Sequence, residues 1–346
     1  MPRAYLSHFG APELRPVAQD RLRRRLTRMA SLDEQIRREF VQLNRYTDRR
    51  SGLPIEEHLI RINFHCNQAC AFCFVSTHLP AAGDAAVREA IVATAQAGRQ
   101  VTLSGGEPTL HPQLLDYIAL AREHSRAHPR QHAVGLQTNA VKLADPDLTR
   151  AVVASGVEWV QVSLHGSHAE LAEAMTEAPG TFAPQVRGID NLHAEPGVYL
   201  TINFVITRRN YADLVPFVEL CGRRWPRAFV NISFVGPSSD VVPKDEALVP
   251  RYGQVLPELY AAIARAGELG LDIGGFESMC GVPLCLVPPM QRQAMQAEIP
   301  ADYDQGEFVH PPVCERCALR GNCFGVRRGY FDLYGAAELA PVVVQP

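Results

Sequence analysis

The sequence predicts an α/β protein whose main body is an open, partial (β/α)₆ barrel of the TIM type. Segments rich in β-branched and aromatic residues alternate six times with helical segments between residues 59 and 235. This spacing is typical of parallel strands joined by crossover helices. Six units are too few to close an eight-stranded barrel, so the sheet is expected to stay open. Five cysteines between residues 280 and 323 indicate a separate, small C-terminal domain.

Composition limits the class of protein. The 346 residues suggest about two domains, and 47% hydrophobic residues suffice for a sizeable core. A net charge of −3 gives no electrostatic argument for nucleic acid or an acidic membrane as a partner. There is no apolar run of 18 residues, and the N-terminus is polar and basic. We therefore expect a cytoplasmic protein, in which nine cysteines indicate metal binding or catalysis rather than disulfides.

Three regions are expected: an N-terminal helical extension over 1–52, the barrel over 53–240 and the C-terminal domain over 241–346. Apolar residues recur at helical spacing in the first region, from Leu22 to Met29 and from Leu32 to Phe40. The arginines between Leu22 and Met29 favour a solvated helix face, with contact to RNA or a leader peptide as the alternative.

Strands and helices follow in order within the barrel. Strands are expected near 59–65, 100–104, 133–139, 157–165, 199–207 and 229–235. Helices are expected near 84–97, 112–127, 146–155, 182–193 and 211–222. Side chains alternate between the two faces of a strand, and one face of every predicted strand is apolar. The apolar faces must meet the helices.

The opposite faces of the same strands are largely polar. Their polar residues are Arg61, Asn63, His65, Thr102, Ser104, Gln137, Asn139, Gln161, Ser163, His165, Asn203, Asn231 and Ser233. A closed barrel fills its interior with bulky aliphatic side chains, whereas a polar interior without hydrogen-bond partners is costly. Barrel enzymes place their sites at the carboxyl ends of the strands. A polar ligand is therefore expected at that end of the lumen.

Three cysteines follow the first predicted strand. Cys66, Cys70 and Cys73 form a C-x₃-C-x₂-C pattern, and three thiolates within eight residues can reach one metal centre. A tetrahedral zinc ion would want a fourth ligand, for which His65 or His78 is the nearest candidate. An iron–sulfur cubane held by only three cysteines instead leaves one iron free to bind another molecule.

With Phe72 directly before the last cysteine, this pattern resembles the signature of the radical SAM superfamily. The resemblance implies a [4Fe–4S] cluster whose free iron binds the amino and carboxylate groups of S-adenosylmethionine. One electron, from a donor such as flavodoxin or ferredoxin, would cleave this cofactor to methionine and a 5′-deoxyadenosyl radical. The zinc knuckle is less favoured, since its ligands are normally spaced as paired C-x₂₋₄-C and H-x₃₋₅-H.

A glycine-rich turn follows the second predicted strand. It contains Ser104, Gly105, Gly106 and Glu107, followed by a proline. Two glycines let a backbone approach a ligand closely, although Gly-Gly-Glu-Pro can also be a simple turn. The Gly-Gly-Glu-Pro tetrad follows the next strand after the cysteine loop, and at this position it resembles the radical SAM motif that contacts the amino group of the cofactor.

Further cofactor contacts are implied at the ends of later strands. Asn139 resembles the Thr-Asn step of the family, and Ser163 begins a resemblance to a ribose- or carboxylate-contacting Ser-x-Asp-Gly motif. His165 replaces the usual acid, and a strand-end histidine with satisfied hydrogen bonds is the alternative interpretation. Asn203 and Val205 face inward at positions that line the adenosine in the family.

The C-terminal cysteines resemble the SPASM/twitch extension of the same superfamily, which carries auxiliary iron–sulfur clusters. C-x₂-C-x₅-C is formed by Cys314, Cys317 and Cys323, and the fourth ligand is Cys280 or Cys285, with Cys285 favoured. The full SPASM pattern has a further cysteine where this chain has an arginine at position 327, so one auxiliary [4Fe–4S] cluster is expected. A zinc ribbon is the alternative.

The resemblance implies an enzyme that abstracts hydrogen from a substrate C–H bond. The substrate is a peptide, as in natural-product maturation, or a small metabolite such as a sugar or cofactor precursor. A non-catalytic iron–sulfur carrier is the rival class, but it would need neither the glycine-rich turn nor a polar lumen. No catalytic side chain can be named from the sequence.

Overall fold

A single mixed sheet organises the computed structural model, which describes residues 32–47, 53–130, 132–237, 242–294, 299 and 306–343. Eight strands lie side by side in their order along the chain. They are β1 (Val41–Thr47), β2 (Pro54–Arg61), β3 (Gln100–Ser104), β4 (Gly135–Thr138), β5 (Trp159–Ser163), β6 (Tyr199–Ile206), β7 (Phe229–Phe234) and β8 (Ile273–Gly274). β1 runs antiparallel to β2, and all later pairs are parallel.

Most of the helices connect the parallel strands and cover one face of the sheet, whereas the first precedes β1 and the last follows β8. They are α1 (Leu32–Phe40), α2 (Asp84–Gln96), α3 (Leu114–Ala127), α4 (Pro146–Ala154), α5 (Ala169–Thr176), α6 (Phe182–Ala194), α7 (Leu214–Arg224), α8 (Tyr252–Leu269) and α9 (Arg328–Tyr334). A short pair, β9 (Phe308–Val309) and β10 (Val326–Arg327), lies in the C-terminal part. The expected partial barrel is confirmed. No described helix is long and apolar enough to span a bilayer.

The core lies between the sheet and these helices. Ile60, Leu103 and Ile202 of the strands are fully buried there, together with Ile91 of α2 and Phe217 of α7. The alternate strand positions face the lumen, as the polar pattern predicts. The apolar face therefore supplies the hydrophobic stabilisation, and the lumen face is left to hydrogen-bonding groups.

The N-terminal part of the barrel differs from the prediction. Residues 32–40 are helical as expected, but residues 41–47 form strand β1, so a wholly helical extension is wrong there. Val41 pairs with Ile60, and β1 covers the outer edge of β2, whose backbone groups would otherwise lack a ladder partner. The helical prediction for residues 1–31 and 48–52 falls outside the described residues.

Strand β2 also ends earlier than predicted. Residues 62–65 leave the ladder because their carbonyl groups bond to the turn after β3: Gly106 N donates to Asn63 O at 3.1 Å and Glu107 N to His65 O at 2.8 Å. The sequence pattern does not predict α5 or β8, which are only eight and two residues long.

Aromatic rings attach the C-terminal part to the barrel. Tyr330 of α9 stacks on Tyr252 of α8 with ring centroids 3.8 Å apart, and Phe234 at the end of β7 contacts both rings. Tyr334 OH donates to Val249 O at 2.8 Å. Because Phe234 ends a barrel strand, the C-terminal cysteines are held close to the carboxyl ends of the strands.

The close approach of α6 to the end of β4 gives a prediction. A Cβ on Gly188 would collide with the carbonyl oxygen of Ala140, a residue held at a positive φ of 59°. Gly188→Ala should therefore lower the free energy of unfolding by about 1–3 kcal/mol, although alanine favours helices. Urea denaturation tests this. The control Gly197→Ala, with open space around its Cβ, should change stability by less than about 1 kcal/mol.

Candidate active site at the carboxyl ends of the strands

The three-cysteine loop leaves β2 at the carboxyl end of the sheet. Cys73 N donates to Cys70 O at 3.0 Å, which folds the loop back on itself. Ala69 N donates to Thr176 O at the end of α5 at 2.8 Å, which ties the loop to a distant helix. Cys66, Cys70 and Cys73 are all partly exposed, so each sulfur can reach a ligand placed above the strand ends.

Backbone N–H groups are directed at two of these sulfurs. Gln68 N lies 3.4 Å from Cys66 Sγ, and Val75 N lies 3.4 Å from Cys73 Sγ. Burial raises the pKa of the Cys66 thiol to about 11, and burial likewise raises the pKa values of Cys70 and Cys73. N–H donors stabilise the thiolate form, and a bound cation would stabilise it further against the penalty of burial. Sulfur donors of this kind fit an iron–sulfur cluster.

The glycine-rich turn lies directly against the cysteine loop. A Cβ on Gly105 would fall 2.5 Å from both Asn63 O and Asn63 Oδ1, and one on Gly106 would collide with the carbonyl oxygens of Phe64 and His65. Only glycine allows this contact. Asn63 Nδ2 donates to Glu107 O at 2.9 Å, so the two loops form one hydrogen-bonded unit.

Glu107 lies beneath this unit with its side chain almost fully buried. Its carboxylate accepts hydrogen bonds from Thr109 N at 3.0 Å, Thr109 Oγ1 at 2.6 Å, Thr138 Oγ1 at 2.7 Å and Asn139 N at 2.6 Å. Burial raises the pKa of Glu107, and these hydrogen bonds oppose the rise. The carboxylate thus joins the glycine-rich turn to the end of β4.

The ends of β4 and β5 are joined by a residue that sequence reasoning missed. Gln185 of α6 donates through Nε2 to Asn139 O at 2.9 Å and to Ser163 O at 2.6 Å. Ser104 Oγ lies 3.5 Å from Gln137 Oε1 in the lumen. Asn139, Ser163 and Ser104 are therefore brought to one end of the sheet, as predicted. A single glutamine within a predicted helix forms no pattern from which the bridge could be predicted.

His165 is buried at the end of β5 against Phe72. Its Nδ1 accepts a hydrogen bond from Val205 N at 3.2 Å, so a proton on the neutral ring is carried by Nε2. The ring meets Phe72 edge to face with centroids 4.8 Å apart. Burial lowers the pKa of His165 to about 3. The imidazole is thus a neutral group that connects the cysteine loop to β6.

Asn203 lies in a hydrogen-bonded triad on the lumen faces of β6 and β7. Asn203 Oδ1 accepts from Asn231 Nδ2 at 2.6 Å and from Ser233 Oγ at 3.0 Å. These two donors fix the orientation of the amide. Among the described residues, Asn203 Nδ2 has no acceptor, so the triad presents an oriented N–H donor.

The strap formed by α1 and β1 reaches the far end of the cysteine loop. Glu39 accepts hydrogen bonds from Ser76 N at 3.0 Å and from Ser76 Oγ. Arg61 donates to Gln42 Oε1 at 2.8 Å and to Glu39 O, and its guanidinium lies 5.5 Å from the centroid of the Phe74 ring. No sequence pattern predicts this contact, because Glu39 and Ser76 are 37 residues apart.

Four of the five C-terminal cysteines surround a second cavity. Cys285, Cys314, Cys317 and Cys323 line it, whereas the exposed Cys280 does not. Gly325 N lies 3.4 Å from Cys323 Sγ. In the described part of the chain, no three His, Cys, Asp or Glu side chains converge on a single-ion position.

Backbone groups of residues 318 and 340–342 lie beside this cavity. Burial raises the pKa of Cys285 to about 11, while a hydrogen bond from the backbone of Ala340 opposes the rise. Ala318 N donates to Val342 O at 2.8 Å, which holds the tail beside the thiols. Arg327 forms an ion pair with Glu307 at 3.0 Å. Four thiols that line a cavity, without three of them converging on one ion position among the described residues, fit a cluster better than a single zinc ion.

Comparison with known proteins agrees with this geometry. The model of the radical SAM superfamily matches residues 60–221, which include the cysteine loop and the glycine-rich turn. The fold resembles that of anSMEcpe with bound AdoMet, with a TM-score of 0.51 and 17% identity over 63% of this chain and 61% of that chain. Residues 60–221 therefore match the radical SAM superfamily, which is a superfamily of enzymes. The resemblance predicted from the motifs is confirmed.

Two curated relatives extend the comparison. The chain is 28% identical over 250 residues to the mycofactocin maturase MftC of Mycobacterium tuberculosis, covering 66% of this chain and 61% of that protein. It is 30% identical over 200 residues to the AdoMet-dependent heme synthase of Methanosarcina barkeri, covering 56% of this chain and 55% of that protein. The chain thus spans less than two thirds of the length of either relative.

The buried imidazole predicts how stability depends on pH. The pKa of His165 is about 3 in the folded chain and about 6.5 when unfolded, so below pH 6.5 the unfolded state binds one more proton. The free energy of unfolding should therefore decrease as the pH is lowered below 6.5, and this group should contribute up to ~1.4 kcal/mol per pH unit. His165→Gln should reduce that slope in urea denaturation of the apoprotein between pH 6.5 and 5. An unchanged slope in His165→Gln would contradict the assignment.

The cavity predicts which cysteine completes the C-terminal site. With two four-iron clusters, the reconstituted protein should hold about eight iron per chain. Cys285→Ala should lower this content below that of the wild type, since it leaves the cavity only three of its four thiols and so a more weakly held cluster. Cys280→Ala is the matched control and should keep the wild-type content. Iron and sulfide analysis decides between them, and the opposite ranking would assign Cys280 as the ligand.

Proposed function

We propose that this protein holds a [4Fe–4S] cluster and S-adenosylmethionine at the carboxyl ends of its strands and removes hydrogen from a C–H bond of a peptide. The observation that carries the proposal is the pairing of two loops. The three-cysteine loop and the glycine-rich turn share hydrogen bonds from Gly106 N to Asn63 O and from Glu107 N to His65 O. A structural zinc knuckle would have no need of this second loop.

The residues of the two loops have distinct roles. Cys66, Cys70 and Cys73 would hold the cluster, and Gly105 and Gly106 leave backbone groups open to the cofactor. When bound, the cluster and S-adenosylmethionine supply the radical that abstracts hydrogen. Because the Glu107 carboxylate already accepts four hydrogen bonds from the protein, we assign the contact with the cofactor's amino group to the backbone of the turn.

The lower end of the lumen is closed, which supports radical chemistry. Glu57 is buried there and accepts hydrogen bonds from Gln100 Nε2 at 3.3 Å, from Asn44 Nδ2 at 2.9 Å and from Thr102 Oγ1 at 2.5 Å. Trp159 Nε1 donates to Thr201 Oγ1 at 3.0 Å. These groups satisfy one another with hydrogen bonds and occupy the lower end of the lumen. Exclusion of water protects a reactive intermediate from side reactions.

The lumen faces of β6 and β7 support a neutral substrate. Every residue of these two strands is described, and none that faces the lumen is charged; these residues are Tyr199, Thr201, Asn203, Val205, Phe229, Asn231 and Ser233. A phosphorylated or polycarboxylate substrate would find no counter-charge on these strands. The oriented amide of Asn203 suits a carbonyl acceptor such as a peptide bond. The likeness to the mycofactocin maturase supports the same substrate class.

A small-molecule substrate is the second candidate. The likeness to the AdoMet-dependent heme synthase, at 30% identity, favours it. The C-terminal site is proposed to hold one auxiliary [4Fe–4S] cluster through Cys285, Cys314, Cys317 and Cys323, whichever substrate is used. A one-electron donor such as flavodoxin or ferredoxin is the further partner that this chemistry requires.

Cofactor cleavage tests the proposed class of reaction. Anaerobically reconstituted protein with dithionite and S-adenosylmethionine should form 5′-deoxyadenosine. Cys66→Ala, Cys70→Ala and Cys73→Ala should each abolish it, because three thiolates are the minimum that holds the cluster here. Cys221→Ala is the control. Cys221 is buried on α7, on the side of the sheet that faces away from the lumen, so its replacement should leave cleavage unchanged. Cleavage at the wild-type rate in the Cys66 variant would overturn the proposal.

A second experiment separates the two substrate classes. Peptides encoded beside the gene are incubated with the enzyme and analysed by mass spectrometry for a change in mass. Deuterated peptide should transfer deuterium into 5′-deoxyadenosine. A change in mass of a sugar or tetrapyrrole metabolite, with no change in the peptides, would favour the small-molecule alternative.

A further inference from the structure

The side chain of Asn139 forms hydrogen bonds with the cysteine loop and is not exposed to the lumen. Its Nδ2 donates to Asn67 Oδ1 at 2.7 Å and lies 4.0 Å from Cys66 Sγ. Its Oδ1 accepts from Val141 N at 3.1 Å. The residue is 6% exposed. Both ends of the amide thus have partners within the protein, and the second Nδ2 hydrogen is directed toward a sulfur.

The backbone of Asn139 is held as firmly as its side chain. Asn139 N donates to Glu107 Oε2 at 2.6 Å, and Asn139 O accepts from Gln185 Nε2 at 2.9 Å. Side chain and backbone together tie the residue to the glycine-rich turn, to α6 and to the cysteine loop. An amide fixed at so many points cannot turn away to follow a ligand.

We propose that Asn139 is a positioning residue for Cys66 and that its Nδ2–H donates a hydrogen bond to the Cys66 thiolate. The inference rests on the proposed function, since it concerns the cluster that these thiolates would hold. A hydrogen bond to a ligating sulfur withdraws negative charge and stabilises the reduced cluster. Asn139 therefore raises the reduction potential of this cluster and makes its one-electron reduction easier.

This role differs from the direct cofactor contact that the Thr-Asn motif implies. A residue that touched only the cofactor would change the affinity for S-adenosylmethionine and leave the cluster alone unaffected. A residue that positions Cys66 acts before the cofactor binds. The reduction potential measured without S-adenosylmethionine therefore separates the two roles.

Asn139→Asp is the sharpest test, because aspartate has the same shape and keeps the acceptor for Val141 N. It loses the donor and places negative charge beside the Cys66 sulfur. Redox titration of the reconstituted holoenzyme with dithionite, followed by electron paramagnetic resonance, reports the potential. The cluster at this site is identified by the signal that changes when S-adenosylmethionine is added. The potential without S-adenosylmethionine should be more negative than in the wild type, with Asn139→Ala shifted less and in the same direction.

Asn191→Asp is the matched control. Asn191 makes a similar amide contact, from Nδ2 to Leu143 O at 2.8 Å, but on α6 away from the cysteines. The same chemical change there should leave the potential unchanged. Asn67→Ala removes the brace without touching the Asn139 donor, so it should speed iron release to a chelator while moving the potential less than Asn139→Asp does.

An unshifted potential in both Asn139 variants would overturn the inference. Loss of the cluster in Asn139→Asp leaves Asn139→Ala and Asn67→Ala to decide, and iron release at the wild-type rate in both of those would also count against it. Failure of the proposed function looks different. In that case wild-type protein would form no 5′-deoxyadenosine, whatever the potentials of the variants.

Discussion

The buried carboxylate of Glu107 is the group on which the upper end of the barrel depends. It accepts hydrogen bonds from the turn that contains it and from the end of β4. A buried carboxylate is tolerated only with several donors, because burial penalises its charge. The same donors would lose their partners if it were removed. One side chain thus fixes the relative positions of two strand ends, and through Asn139 also that of the cysteine loop.

The site follows from the division of the sheet into two faces. The helices take the apolar face and stabilise the fold by burying it. The lumen face is left polar, and its side chains hydrogen-bond to each other at the closed end and in the triad on β6 and β7. Near the cysteines, backbone N–H groups are directed at sulfur. The regions of the lumen therefore differ in the groups they present, although all of them belong to one sheet.

Much of this arrangement could be predicted because its signals are local. The three cysteines, the two glycines and the alternation of strands and helices are each contained in a short stretch, and the carboxyl ends of parallel strands meet at one edge of a sheet. Contacts between distant residues could not be read in this way. The contacts of Gln185 and Glu39 could not be predicted, because a single glutamine or glutamate in a helix does not indicate which distant residue it will bind. Helix is predicted over strand β1 because the helical pattern of α1 directly precedes it.

The segment beside the second cavity shows that the two sets of cysteines depend differently on tertiary structure. Cys285 receives a hydrogen bond from Ala340, and Ala318 is bonded to Val342. The thiols of the cysteine loop come from one short stretch of chain, so they stay near one another even when the chain is unfolded. The thiols around the second cavity come from two separate stretches, Cys285 in one and Cys314, Cys317 and Cys323 in the other. Unfolding would therefore disperse the second set of donors while the first set stays together.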